Sequence, residues 1–173
     1  RKYGFTAGYD YITNAGLTSV QNKEFQGTFN ADYQNGDGLN VDYRRDYELV
    51  PRGFAINPGT TVPAGGYDSQ NLRVQYTLGQ QRKASGRLFV ARGSLYNGTK
   101  TEAGYGGRIG LIPQFAIEPN VSLNWVRLPY GDFEAPVIST RLIFTPNSRT
   151  ALTSFLQYNG GSRTLSTSLR LRW

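Results

Sequence analysis

The sequence predicts an all-β chain, a single domain over residues 1–173 folded as an antiparallel up-and-down transmembrane β-barrel of about ten strands. Three observations predict it. Apolar and polar residues alternate one for one through almost the whole length. Aromatic residues make up 13% of the chain, yet mean hydropathy is only −0.47, which alternation produces when apolar side chains point outward and polar ones inward. No apolar run approaches the ~18 residues of a spanning helix.

The elements follow in order. A first strand, 2–12, sets Tyr3, Phe5, Ala7, Tyr9 and Tyr11 against Lys2, Thr6 and Asp10. A second, 23–35, sets Phe25, Gly27, Phe29, Ala31 and Tyr33 against Glu24, Gln26, Thr28, Asn30, Asp32 and Gln34. In the third, 38–49, Leu39, Val41, Tyr43, Tyr47 and Leu49 oppose Asn40, Asp42, Arg44, Asp46 and Glu48, and only Arg45 breaks the apolar row. Further strands are expected at 67–79, 85–96, 100–117, 120–129, 136–145, 149–158 and 163–173. The last places Leu165, Thr167, Leu169, Leu171 and Trp173 on one face and Thr164, Ser166, Ser168, Arg170 and Arg172 on the other, because successive strand side chains point to opposite faces.

Turn signals separate these strands: NGDG at 35–38, YNGT at 96–99, EPN at 118–120, TPNS at 145–148 and NGGS at 159–162. The odd-numbered connections are mostly long (13–22, 50–66, 130–135) and the even-numbered ones mostly short. That parity suits a barrel with short turns at the inner end and longer loops outside. Aromatics then fall into two girdles at the lipid boundaries. The outer one holds Tyr11, Tyr47, Tyr67, Tyr96, Tyr130, Phe133 and Tyr158; the inner one holds Tyr3, Tyr33, Phe115, Phe144 and Trp173. A soluble β-sandwich would also give each strand one apolar face. The barrel is favoured because the polar faces are rich in Asn, Gln, Ser, Thr and Gly and no edge is guarded by Pro or Lys.

Charge is unevenly placed. Net charge is +7, yet residues 1–50 hold five Lys/Arg against seven Asp/Glu. The inward rows of the first three strands supply an acidic arc of Asp10, Glu24, Asp32, Asp42, Asp46 and Glu48. Later strands supply a basic arc of Arg73, Arg87, Arg108, Arg170 and Arg172. In a closed barrel the arcs meet, with Asp10 beside Arg170 or Arg172. Two readings stay open: ion pairs that plug a narrow interior, or a polar pore whose transverse field orients a solute. Gly104, Gly106 and Gly110, on the row of Arg108, leave room there for arginine side chains from across the barrel or for water.

Composition removes several chemistries. With no His and no Cys, the usual base for a serine nucleophile is missing, so no enzyme activity, catalytic residue or cofactor is expected. Asp42, Asp46 and Glu48 share a row that could hold calcium, but pairing with arginine is the plainer reading and no metal site is expected. The basic residues are scattered singly, so no nucleic-acid partner is expected. The sequons NGT (97–99) and NVS (120–122) read as turn and strand chemistry. Without Met at position 1, a processed or excised chain is expected.

The segments ELVPRGFAINPGTTVPAGGYD (48–68), GRLFVARGSLYNGTK (86–100), NWVRLPYGDFEAPVISTRLIFTPNSRTALTSFLQYNGG (124–161) and SLRLRW (168–173) resemble the C-terminal barrel region of domain-of-unknown-function family 5916 of Gram-negative bacteria. The resemblance covers about residues 25–173. It rests on the G-x-x-Y-N-G hairpin (Gly93 to Gly98), the R-L-P-Y-G-D-F turn and the F-T-P…Q-Y-N…R-L-R-W ending. It implies a bacterial outer-membrane location and supplies no catalytic residues. Relatives often carry a carbohydrate-binding-like domain, which has no counterpart here, and usually continue past R-L-R-W into another strand. The chain is therefore expected to be a short barrel or a segment of a larger one. The role to expect is structural, or a narrow porin-like pore for small polar solutes. The expected partners are the lipid bilayer or detergent and the outer-membrane assembly machinery, which reads apolar residues alternating up to a final aromatic. A loop-mediated extracellular binding module, with a ligand or partner protein at 50–66, is the alternative.

Overall fold

The computed structural model describes residues 1–16 and 20–173. Of these, 79% lie in strands, all pairings are antiparallel and no helix is present among the described residues. The strands are β1 (Lys2–Thr13), β2 (Val20–Asp32), β3 (Gly38–Val50), β4 (Phe54–Asn57), β5 (Thr60–Val62), β6 (Gly65–Leu78), β7 (Ala84–Leu95), β8 (Gly98–Ile112), β9 (Phe115–Leu128), β10 (Gly131–Glu134), β11 (Val137–Asn147), β12 (Thr150–Asn159) and β13 (Thr164–Arg172). The ten long ones form one sheet in the order β1-β2-β3-β6-β7-β8-β9-β11-β12-β13. Each is bonded to its neighbour in the chain, the meander that short connections dictate.

Register carries the alternation across the whole sheet. One hydrogen-bonded row runs Tyr3, Ala31, Leu39, Tyr76, Leu88, Tyr105, Val121, Ile138, Tyr158, Leu165. Every member is apolar or aromatic, because residues directly opposite in a ladder share a face. A one-residue slip anywhere would turn a strand's apolar set to the wrong side. The row starts near the beginning of β1 and ends near the beginning of β13. Those strands run in opposite directions, so the row climbs from one end of the sheet to the other.

In the middle of the sheet the two faces are exposed in the reverse of a water-soluble order, while in β1 and β13 nearly every residue of both faces is exposed. Along β6, Ser69, Asn71, Arg73 and Gln75 are half-buried while Gln70, Leu72 and Val74 are exposed. Phe5 is 81% exposed and Val90 57%. The polar side is the sheltered, concave one.

The sheet is open. β1 pairs with β2 alone and β13 with β12 alone. Asp10 and Arg170 or Arg172 therefore lie on opposite edges and do not meet. A turn also falls elsewhere than the sequence suggests. Glu118, Pro119 and Asn120 lie inside β9, and the chain reverses at Pro113–Gln114 instead. Beside Pro119 the β8–β9 pairing passes from Gly106↔Asn120 to Ile109↔Ile117 in unchanged register, the local gap expected at a residue with no N–H to give.

The long connection 51–64 is not a free loop. It folds as the hairpin β4–β5 across Pro58 and Gly59, whose φ of 81° is left-handed. Val62, with no exposed surface, anchors it on Val50, Tyr67, Val126 and Leu128. Glu48 and Asn124, two residues before Val50 and Val126, lie on the polar face, so this apolar core closes over the concave side at the long-loop end.

A clasp holds the opposite end. Asp37, in the β2–β3 turn, is 3% exposed. The backbone N–H of Gly79, donating at 2.8 Å, is the main reason its carboxyl sits below the ordinary 3.8. Burial opposes this, and the Tyr76 hydroxyl (3.0 Å) and Arg82 (2.6 Å) reinforce it. Since the folded pKa is the lower one, the clasp contributes fully above about pH 4 and is lost as pH falls through the depressed value. Denaturant titrations should show the wild-type protein losing stability in that acid range. Asp37→Asn should be weaker at neutral pH and lose less on acidification. Equal pH slopes would remove the clasp from the acid response.

Candidate functional site

The concave face brings the expected charges onto one surface. Asp10 lies opposite Glu24, and Glu24 opposite Asp46; Asp42 faces Arg73, Glu48 faces Tyr67, and Asp32 faces Lys2. Arg87 and Arg108 project from the same side of β7 and β8, and Arg170 and Arg172 from that of β13, opposite Thr153 and Ala151. Only Asp42 and Arg73 bring the acidic and basic arcs side by side. The bonds of both arcs are mostly local.

Asp42 accepts from Gln26 and Thr28 at 2.8 Å each, and Asp46 accepts from Ser69. Glu24 binds Arg44 at 3.2 Å. Arg73 lies over the Phe89 ring, 3.9 Å from its centroid, a cation–π contact. That ring in turn covers Gly104, where a Cβ would meet it at 2.5 Å. The space over Gly104 is therefore taken by Phe89, and that over Gly106 by Asn120 at 3.2 Å, not by arginines from across a barrel. Glu48 accepts the Tyr96 hydroxyl at 3.2 Å. Burial pushes that phenol's pKa up, and the Glu48 charge adds to it.

The aromatic girdle divides. Tyr3, Tyr11, Tyr47, Phe115, Phe144 and Tyr158 stand on the convex face. Tyr33 lies 6.5 Å from the convex Tyr76 ring, and Trp173 follows β13, 95% exposed. Lys23 sits over Tyr11 and Tyr47 at 5.8 and 5.9 Å. Tyr67 and Tyr96 lie elsewhere: they pack edge-to-face at 5.1 Å within the loop-end core, and Tyr130 and Phe133 pack against it. Tyr67 has the parity of Glu48, which turns it inward, and the β4–β5 hairpin then covers it.

A recess of about 830 Å3 lies on the concave face toward the short-connection end. Arg87, Arg108 and Arg141 line it with Glu118, Asn120 and Ser139. Glu118 binds Arg108 at 3.6 Å and Arg141 at 3.3 Å. It sits between them because β9 runs between β8 and β11. Gly86, Gly106 and Gly107 form part of the wall. Gly86 and Gly107 approach so closely that a Cβ on Gly107 would lie 2.1 Å from the Ser85 carbonyl. Tyr105 covers this bare patch from the convex side, its hydroxyl donating to the same carbonyl at 2.9 Å.

Sequence reasoning missed Glu118, Arg141, Arg44 and the Asp37–Arg82 pair. Arg141 was legible from its parity with Ser139 in VISTRLIF; Glu118 was hidden by a dipeptide that reads as a turn. No group of three or more potential metal ligands occurs among the described residues.

No family model, curated protein or solved structure matches this chain.

Proposed function

We propose that this sheet is the wall of an outer-membrane β-barrel, serving as a membrane-embedded scaffold or a narrow pore for small polar solutes. The observation that supports it is the reversal of the two faces: the convex side is apolar and exposed, the concave side polar and sheltered. In water such a convex face is a contiguous apolar patch far beyond what monomeric soluble proteins expose; in lipid it is the expected surface. A β-sandwich would bury that face under a second sheet. Among the described residues the second sheet is only β4–β5, and it packs on the polar side. In hydrocarbon the free edges of β1 and β13 must also be paired, with each other or with further strands.

Two measurements test the reading. The protein should hold its β circular dichroism in detergent or vesicles and aggregate without them; a monodisperse, folded protein in plain buffer would refute the membrane assignment. Planar bilayers should then show small unitary ion currents. Silent bilayers after verified insertion would leave the scaffold role and remove the pore.

A further inference from the structure

We propose that the Arg87–Arg108–Arg141 recess is a binding site for a small multivalent oxyanion of the phosphate class. This rests on the reading of the concave face as a water-filled lumen, and it deepens that reading by naming the solute.

Charge within the recess is unbalanced. Three arginines line it against one carboxylate, Glu118. Arg87 is exposed and makes no ion pair among the described residues. Guanidinium groups stay charged at any relevant pH and offer paired N–H donors that match oxyanion geometry. Two of the three flank Glu118. It pairs with Arg108 from one neighbouring strand and with Arg141 from the other, which brings both guanidinium groups to the same side of the recess. Their attachment is not final: a dianion offers more acceptor oxygens than one carboxylate and can share both arginines with Glu118.

Of the three wall glycines only Gly106 has the concave parity, so the floor there is bare backbone bordered by Asn120. Gln80, Ser85, Asn120 and Ser139 add neutral hydrogen-bonding groups on the rim. Phe155 and Leu78 supply apolar wall, which lowers the local dielectric and strengthens each charged contact. On the acidic β1–β3 side, by contrast, Gly4 and Gly8 face open space.

The test is an equilibrium titration of the full chain, folded in zwitterionic detergent micelles at low ionic strength, with inorganic phosphate followed by calorimetry. Wild-type protein should bind saturably. Arg87→Gln removes a guanidinium that supports no other residue, so folding is not at stake, and should weaken binding about tenfold. Glu118→Gln should act in the opposite direction and tighten it, because two arginines lose their competing carboxylate. No saturable binding by the wild type would overturn the site. So would a loss from Arg170→Gln equal to that from Arg87→Gln, which would assign binding to the diffuse charge of the face. So would weaker binding by a Glu118→Gln protein of unchanged circular dichroism. Because the readout is binding and not current, silent bilayers with Arg87-dependent phosphate binding would sink the pore and support the site. Conducting channels without phosphate binding would do the reverse.

Discussion

Replacing Val90 with arginine is expected to cost about 2–4 kcal/mol of stability when the protein is folded into phospholipid vesicles. Val90 lies midway along β7 on the convex face, opposite Val74 and Ala103. It is more than half exposed, so in water the substitution would fall within roughly 0.5 kcal/mol of neutral, as exposed substitutions usually do. The same change at Thr101 supplies the depth control. Thr101 sits opposite Arg92, at a level where the convex face already carries a cation, and its replacement should cost only about 0–1 kcal/mol. Urea titrations in vesicles read both. A Val90→Arg effect no larger than that of Thr101→Arg would place this face in water.

Leu128→Ala should be as costly locally, about 2–5 kcal/mol, because it empties a buried site that its neighbours cannot fill. Leu128 ends β9 and underlies Val62 in the loop-end core. The ten-strand ladder does not depend on that core, since β4–β5 forms a separate sheet. The expected result is therefore a local opening. Amides of β4 and β5 should exchange faster and residues 51–64 should become sensitive to protease, while the long strands keep their protection. Uniform loss of protection across β6–β9 with an intact hairpin would show that the core supports the sheet and not the loop.

How much of this could be read from residue order alone follows from what carries each feature. The first three strands were legible to within a few residues, because Tyr3–Tyr11, Phe25–Ala31 and, but for Arg45, Leu39–Leu49 alternate, and period two has a single structural meaning. The facing of every acid in the expected arc followed from the same parity. What alternation does not encode is the identity of partners across a ladder. Glu118 could not be assigned to Arg108 and Arg141 until the reversal at Pro113–Gln114 fixed the β8–β9 register. The E-P-N tripeptide pointed the other way, since proline usually ends a strand and sits here at a gap in the β8–β9 pairing. Tyr67 and Tyr96 went astray for a related reason. A tyrosine near a strand end looks the same whether lipid or a folded-back hairpin covers it, and the hairpin's own signal, N-P-G-T at 57–60, lay inside what read as a long loop. Asp37 sat in a correctly read turn, but its partners Gly79 and Arg82 come from another turn more than forty residues on.

Because the hydrogen-bonded row from Tyr3 to Leu165 climbs the whole height of the sheet, β1 and β13 can meet only displaced along their lengths, like the two scales of a vernier. Alternation restricts the possible settings, since a slip of one residue would bring the apolar row of one edge onto the polar row of the other. Closure can therefore advance only in steps of two residues. Each step alters strand tilt and, with it, the bore, at constant strand number. In the proposed barrel the width of the opening would be set by which of Leu165–Trp173 comes to rest against Tyr3–Tyr11. Its gauge would then be cut into residues of the convex face, none of which would touch what passes through it.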